Sequence, residues 1–111
     1  MNYIQKVQTL LEQELKMVGT PYEGLLETYG LLVLVVGEKC TNEDIHGAWS
    51  IWQNKTQPDH RSLKLFSELT KEVQDLDEPY KRAVIKVSKL MKNDTTNDGQ
   101  WSKTETTDGS L

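Results

Sequence analysis

Apolar residues recur at helical spacing near the start of the chain, where Tyr3, Ile4, Val7, Leu10, Leu11 and Leu15 fall on one face. The pattern predicts a helix over residues 2–17, stopped by Gly19 and Pro21. A second helix is expected from Tyr22 to Val36, with Gly37 as its cap. Its second half, Leu31-Leu32-Val33-Leu34-Val35-Val36, is apolar on every side, which predicts burial on every side, as a central helix or at a subunit interface. The β-branched Val33, Val35 and Val36 make a buried strand the competing local reading. Length and the lack of alternation favour the helix.

Thr41 and Asp44 have the spacing of a capping box and open a third helix over about Asn42–Gln53. Ile45, Ala48, Trp49 and Trp52 form its stripe, with His46 and Ser50 beside it. A polar loop follows over Gln53–Ser62, then a short extended segment anchored by Leu63, Leu65 and Phe66. Ser67–Leu76 reads as a short helix with Leu69, Val73 and Leu76 inward. Asp77-Glu78-Pro79 opens the last helix, acids and proline both suiting a first turn. Tyr80, Ala83, Val84, Val87, Leu90 and Met91 make its buried face. The expected fold is all-α, a small bundle of four to five helices.

Composition divides the chain in two. Residues 93–111 hold almost no aliphatic side chain and carry Asp94, Asp98, Glu105 and Asp108 against Lys103. That is a net of −3 out of the chain's −4, leaving about −1 for residues 1–92. The expectation is one helical domain over 1–92 and a disordered acidic tail over 93–111. A near-neutral body argues against duplex nucleic acid held by a broad cationic face. The N-terminal pattern reads as an amphipathic helix rather than a secretory leader, and the longest apolar run, Leu31–Val36, is too short to span a membrane. With a single cysteine, Cys40, no intramolecular disulfide forms. Together these point to a cytoplasmic protein.

Both histidines, two tryptophans and the Pro58-Asp59-His60-Arg61-Ser62 loop fall between positions 46 and 62. An indole can stack on a purine face, and Trp52, at the helix end beside the loop, is placed for that as readily as for the core. Trp49, mid-stripe, has core spacing. His60, Arg61, Ser62 and Lys64 could clamp a phosphate, arginine with bidentate geometry; a solvated loop with an Asp59–Arg61 pair is the plainer reading. His46 is either a ligand contact or an imidazole bonded to the last helix or to Asp77. Tyr29 aims its hydroxyl into a pocket or packs in the core. Lys81 and Arg82 stand at the unfavourable end of the last helix, hinting at an anionic neighbour. No metal-ligand spacing is present and no cofactor is expected. Cys40 precedes a helix N-terminus, which could lower its pKa, but nothing forms a nucleophile–base pair and no Gly-rich phosphate loop occurs, so an enzyme is not expected.

The order of elements resembles the RyR domain, the module repeated in ryanodine receptors and found alone in bacterial and phage proteins. The resemblance lies in His46-Gly47-Ala48-Trp49, in His60-Arg61-Ser62-Leu63-Lys64-Leu65-Phe66, in Leu69 to Val73, and in Asp77 before the last helix. A closer likeness, to small phage and actinobacterial proteins, covers nearly all of residues 22–91. It rests on Tyr29 to Gly37, on Asp44-Ile45-His46-Gly47-Ala48-Trp49, on Pro58–Ser62 and on Asp77–Tyr80. The receptor module's Gly-Trp-x-Tyr-Gly hairpin is missing, and Arg61 stands where that family has proline, so contacts made there do not carry over. The resemblance implies a nucleotide-binding module rather than an enzyme. In a phage setting, it implies a sponge in the host cytoplasm that sequesters a cyclic oligonucleotide or ADP-ribose-type messenger. The ligand contacts so implied are Trp52, His60, Arg61, Ser62, Lys64, His46, Trp49 and Tyr29. A homo-oligomer is expected from the apolar helix. The alternative is a protein–protein adaptor or inhibitor acting through that helix and the acidic segment bearing Trp101.

Overall fold

The computed structural model describes residues 2–19, 21 and 23–98. Among these residues there is no strand, and the all-α expectation holds. The helices are α1 (Tyr3–Glu14), α2 (Glu23–Val35), α3 (Asn42–Thr56), α4 (Lys71–Gln74) and α5 (Glu78–Asp98), with single 3-10 turns at Gly37–Lys39, Phe66–Glu68 and Asp75–Asp77. No helix among the described residues is long and apolar enough to cross a membrane. The last helix runs past Lys92 to Asp98. The remainder of the expected tail, Trp101 included, lies outside the described residues, as does Tyr22.

Local chemistry sets the helix ends. At α1, the Gln5 N–H donates to Asn2 Oδ1 (2.9 Å) and the Asn2 N–H donates back to Gln5 Oε1 (3.1 Å). At α3 the Thr41 box forms as expected, with the Asp44 N–H on Thr41 Oγ1 (3.2 Å) and the Thr41 N–H on Asp44 Oδ2 (2.9 Å). α5 begins against α3, because Asn42 Nδ2 donates to Glu78 Oε1 at 3.2 Å. Glu78 also pairs with Lys81 (3.2 Å) and Arg82 (3.1 Å). The anionic neighbour of those two cations is therefore a residue of their own helix.

Helix α2 packs on α1, α3 and α5, and the core gathers around it. Val7, Leu11 and Leu15 meet Leu26, Tyr29, Val33, Ile45, Val84 and Val87, all buried. Burial of α2 on every side does not hold within one chain. Leu31 is 56 % exposed, Leu34 45 % and Val35 71 %. Three neighbouring helices do not encircle α2, and these positions, at i, i+3 and i+4, form the stripe left over.

The expected helix over Ser67–Leu76 is broken. Thr70 accepts the Val73 N–H on Oγ1 at 3.3 Å and so starts α4 afresh. The 3-10 turn after α4 has a tighter repeat than an α-helix, which rotates Leu76 off the inward line and leaves it 67 % exposed instead of buried. Gln74 pins the break, its Nε2 donating to the carbonyls of Phe66 (2.8 Å) and Leu69 (3.3 Å).

Gly37 ends α2 with φ at +63°, as its capping role requires. A Cβ there would lie 2.9 Å from Ser88 Oγ, so the glycine also lets α5 come close. Gly37→Ala should destabilise the protein by about 1–2 kcal/mol from the left-handed backbone alone. Gly47, inside α3 with open space where a Cβ would go, is the control: Gly47→Ala should stabilise by about 0.5–1 kcal/mol. Urea denaturation of both variants checks the pair of opposite signs.

Candidate functional site

Several helices and the segments between them converge on one cavity of about 580 Å³. α2 supplies Leu25 and Tyr29, and α3 supplies His46, Trp49 and Trp52. The loop after α3 supplies His60 and Ser62, the 3-10 turn before α5 supplies Asp77, and the first turn of α5 supplies Tyr80. Six of the eight ligand contacts expected from sequence meet here. Arg61 and Lys64 do not line the cavity. Lys64 borders a separate cleft with Ile51, Leu65 and Phe66 on the other side of His46.

The walls are aromatic. His46 stacks on Trp49 with ring centroids 5.7 Å apart and planes at 24°. Trp49 meets His60 edge-on at 5.1 Å and 81°, and Tyr29 lies 5.4 Å from Tyr80 at 34°. Trp49 packs against the core and, half-buried between two imidazoles, also forms part of the cavity wall. Trp52 owes its place to Gly24, since a Cβ there would stand 3.1 Å from the indole Cδ1 and Nε1.

Hydrogen bonds hold the loop against α3. His46 Nε2 lies 2.7 Å from the Lys64 carbonyl oxygen and 3.4 Å from Ser50 Oγ. A carbonyl only accepts, so Nε2 carries the proton and donates. The expected bond of His46 to the last helix or to Asp77 is replaced by this one. His60 Nδ1 accepts the Ser62 N–H at 3.0 Å, which leaves Nε2 as the N–H of the neutral ring. Turns closed by His60 N–H on the Gln57 carbonyl and Leu63 N–H on the His60 carbonyl, each 3.0 Å, fix the ring's position.

The charge inside is acidic. Asp77 is the one carboxylate of the lining, and no lysine or arginine is present among the described lining residues. Its side chain makes no hydrogen bond or ion pair with the described residues. Burial pushes its pKa from 3.8 up to about 6, against the pull of His46. Tyr29 is held well above the ordinary tyrosine value by burial first, then by Tyr80 and Asp77, so it is a neutral O–H donor. Cys40 is buried outside this cavity, and burial pushes its thiol up to about 11. Desolvation outweighs the helix N-terminus there, and the expected lowering does not occur. Among the described residues no group of histidine, cysteine and carboxylates could hold a metal ion.

Sequence reasoning placed Asp77 at the opening of a helix or as a partner of His46, and Tyr80 on that helix's buried face, and named neither as a ligand contact. A signal was available. Asp77, Tyr80, Val84 and Val87 are spaced as one helical face, so the acid continues a buried stripe. An acid in that position is anomalous unless something faces it.

Fold and cavity define a small all-helical module whose pocket is lined by aromatic rings and by Asp77. The chain belongs to the family described as a domain of unknown function, DUF7701, whose model matches residues 2–89. That span contains every described residue of the cavity lining. No curated protein and no solved structure matches the chain, and none of these comparisons links it to the ryanodine-receptor module.

The raised pKa of Asp77 has a stability consequence. The folded state holds the proton more tightly than the unfolded state, so Asp77's contribution is full below about pH 4 and is lost as pH rises to about 6. Asp77→Asn removes that dependence. The melting temperature of the variant relative to wild type should be higher at pH 7.5 than at pH 4. An equal difference at both pH values would show that Asp77 ionises without cost.

Proposed function

We propose that this protein is a non-enzymatic binding module for a nucleotide-derived small molecule, the base entering the aromatic cavity and the phosphates staying at its mouth. The carrying observation is the cavity of about 580 Å³ walled by Tyr29, Trp49, Trp52 and Tyr80, within the roughly 300–1,000 Å³ that encloses drug-sized ligands. An interior with Asp77 and no cation is a poor place for a phosphate. Arg61, exposed and without an ion pair among the described residues, follows His60 and precedes Ser62, both in the wall. That position suits a phosphate outside the cavity better than the clamp first expected of Arg61 and Lys64 together. The RyR-like order of residues supports the same ligand class. Sequestration of a nucleotide-derived immune signal in the cytoplasm, as by a phage sponge, is the biological role that such binding would serve.

Titration calorimetry and tryptophan fluorescence against mononucleotides, cyclic oligonucleotides and ADP-ribose test the reading. Saturable binding with indole quenching is expected for at least one compound. Base–indole stacking is worth about 1–3 kcal/mol, so Trp52→Ala should weaken binding roughly 5- to 150-fold. Silence across the panel would end the proposal.

The stripe of Leu31, Leu34 and Val35 favours a second reading, a homo-oligomer built through α2. Leu34 and Val35 border a groove shared with Tyr3 and Met91, and Leu31 is exposed one turn earlier on the same face. An adaptor role would use the same face. Covering one such side chain completely is worth up to about 1.5–3 kcal/mol, so Val35→Glu should lower the association state seen in sedimentation equilibrium while leaving the fold intact. A wild type that stays monomeric at high concentration would leave the face to a different protein.

A further inference from the structure

The polar lining of the cavity points further than a class of ligand. Asp77 sits where Tyr29, Tyr80 and His46 converge, yet nothing in the described structure pairs with its carboxylate. The carboxylate is half-buried and its ionised form is disfavoured there, so donors brought by a ligand would stabilise it. The rings in the lining offer faces for stacking, and Asp77 adds a carboxylate, whose two oxygens can each accept. A planar ligand that complements both needs two adjacent N–H donors on one ring edge.

Resting on the nucleotide reading, we infer that the pocket selects guanine, with the Asp77 carboxylate accepting from N1–H and from the exocyclic N2 amino group. Guanine is the one common base with two neighbouring donors on its pairing edge. Adenine and cytosine each set a ring-nitrogen lone pair beside their amino group, which would face a carboxylate oxygen unfavourably. Uracil and thymine flank a single N–H with two carbonyls. The neutral Tyr29 hydroxyl is a donor in the same cavity and complements the remaining guanine acceptor, O6. At neutral pH the carboxyl is ionised and acceptor-only, as this pairing requires.

A small ammonium ion fits the observations less well. Aromatic boxes for such cations close tightly about the charged group, whereas this cavity of about 580 Å³ is sized for a nucleoside.

The test is titration calorimetry of the full chain at pH 7.5 with GMP, IMP, AMP, CMP and XMP, on wild type and on Asp77→Asn. Wild type should bind GMP at least about tenfold tighter than AMP or CMP, because a site built for donors rejects analogues that lack them. IMP, which keeps N1–H and lacks the amino group, should fall between. Asp77→Asn should lose the GMP preference and gain XMP, since its amide donates to the C2 carbonyl and accepts from N1–H. Its melting temperature at pH 7.5 reports that the variant is folded. AMP binding as tight as GMP, or an Asp77→Asn variant with unchanged preference, would overturn guanine selectivity while leaving nucleotide binding standing. Failure of every nucleotide would remove both readings, and binding of tetramethylammonium in their place would reassign the cavity to a cation.

Discussion

A stretch of chain without regular structure, from Gln57 to Thr70 and interrupted by a single 3-10 turn, has to be held against a helical bundle. Its backbone groups cannot all pair with one another, so they rely on side chains. The governing contact is His46 Nε2–H donating to the Lys64 carbonyl at 2.7 Å. His46 is buried, and a buried ring N–H left without an acceptor costs about 1–3 kcal/mol. This bond ties the loop to α3 and stacks the His46 ring on Trp49, which in turn meets His60. Gln74 completes the attachment through the Phe66 and Leu69 carbonyls. The cavity exists because this loop is fastened over the ends of α2, α3 and α5.

Stability and site oppose each other at one residue. A carboxyl in an aromatic cavity, without a cation, has its ionised form disfavoured. An amide or apolar residue there would suit the fold better. Such a cost is common where a protein keeps a group for binding rather than folding. Cys40 and Glu78 show the contrast. The Cys40 thiol stays neutral in the core, and the Glu78 carboxylate, held below the ordinary range first by its bond from Asn42 and then by Lys81, fastens α5 to α3. Neither is a burden on the fold.

The helices were legible because their signals are local: the Thr41–Asp44 box, the Gly37 cap and the Tyr80–Val87 face need only neighbours in sequence. The break at Thr70 was not, because it depends on Gln74 reaching back to two carbonyls. The exposure of Leu31, Leu34 and Val35 was not, because it depends on how many helices surround α2. At the site, Trp52, His60 and Ser62 stood out by residue type and position. Lys64 stood out equally, yet it enters through its backbone carbonyl. Asp77 hid behind an adequate local explanation, since an acid before Glu78-Pro79 already fits a helix start. Its place in the cavity is a tertiary fact.

The central claim is that a nucleobase enters between the rings and meets Asp77. Nitrogen-15 NMR of the uniformly labelled protein under GMP titration reads this most directly, because each tryptophan indole N–H gives its own signal. The account predicts saturable shifts at the Trp49 and Trp52 indoles and at the backbone amides of His60, Ser62 and Asp77, with little change at Leu31, Leu34 and Val35. Shifts confined to the α2 stripe, or absent from both indoles at saturating ligand, would contradict it.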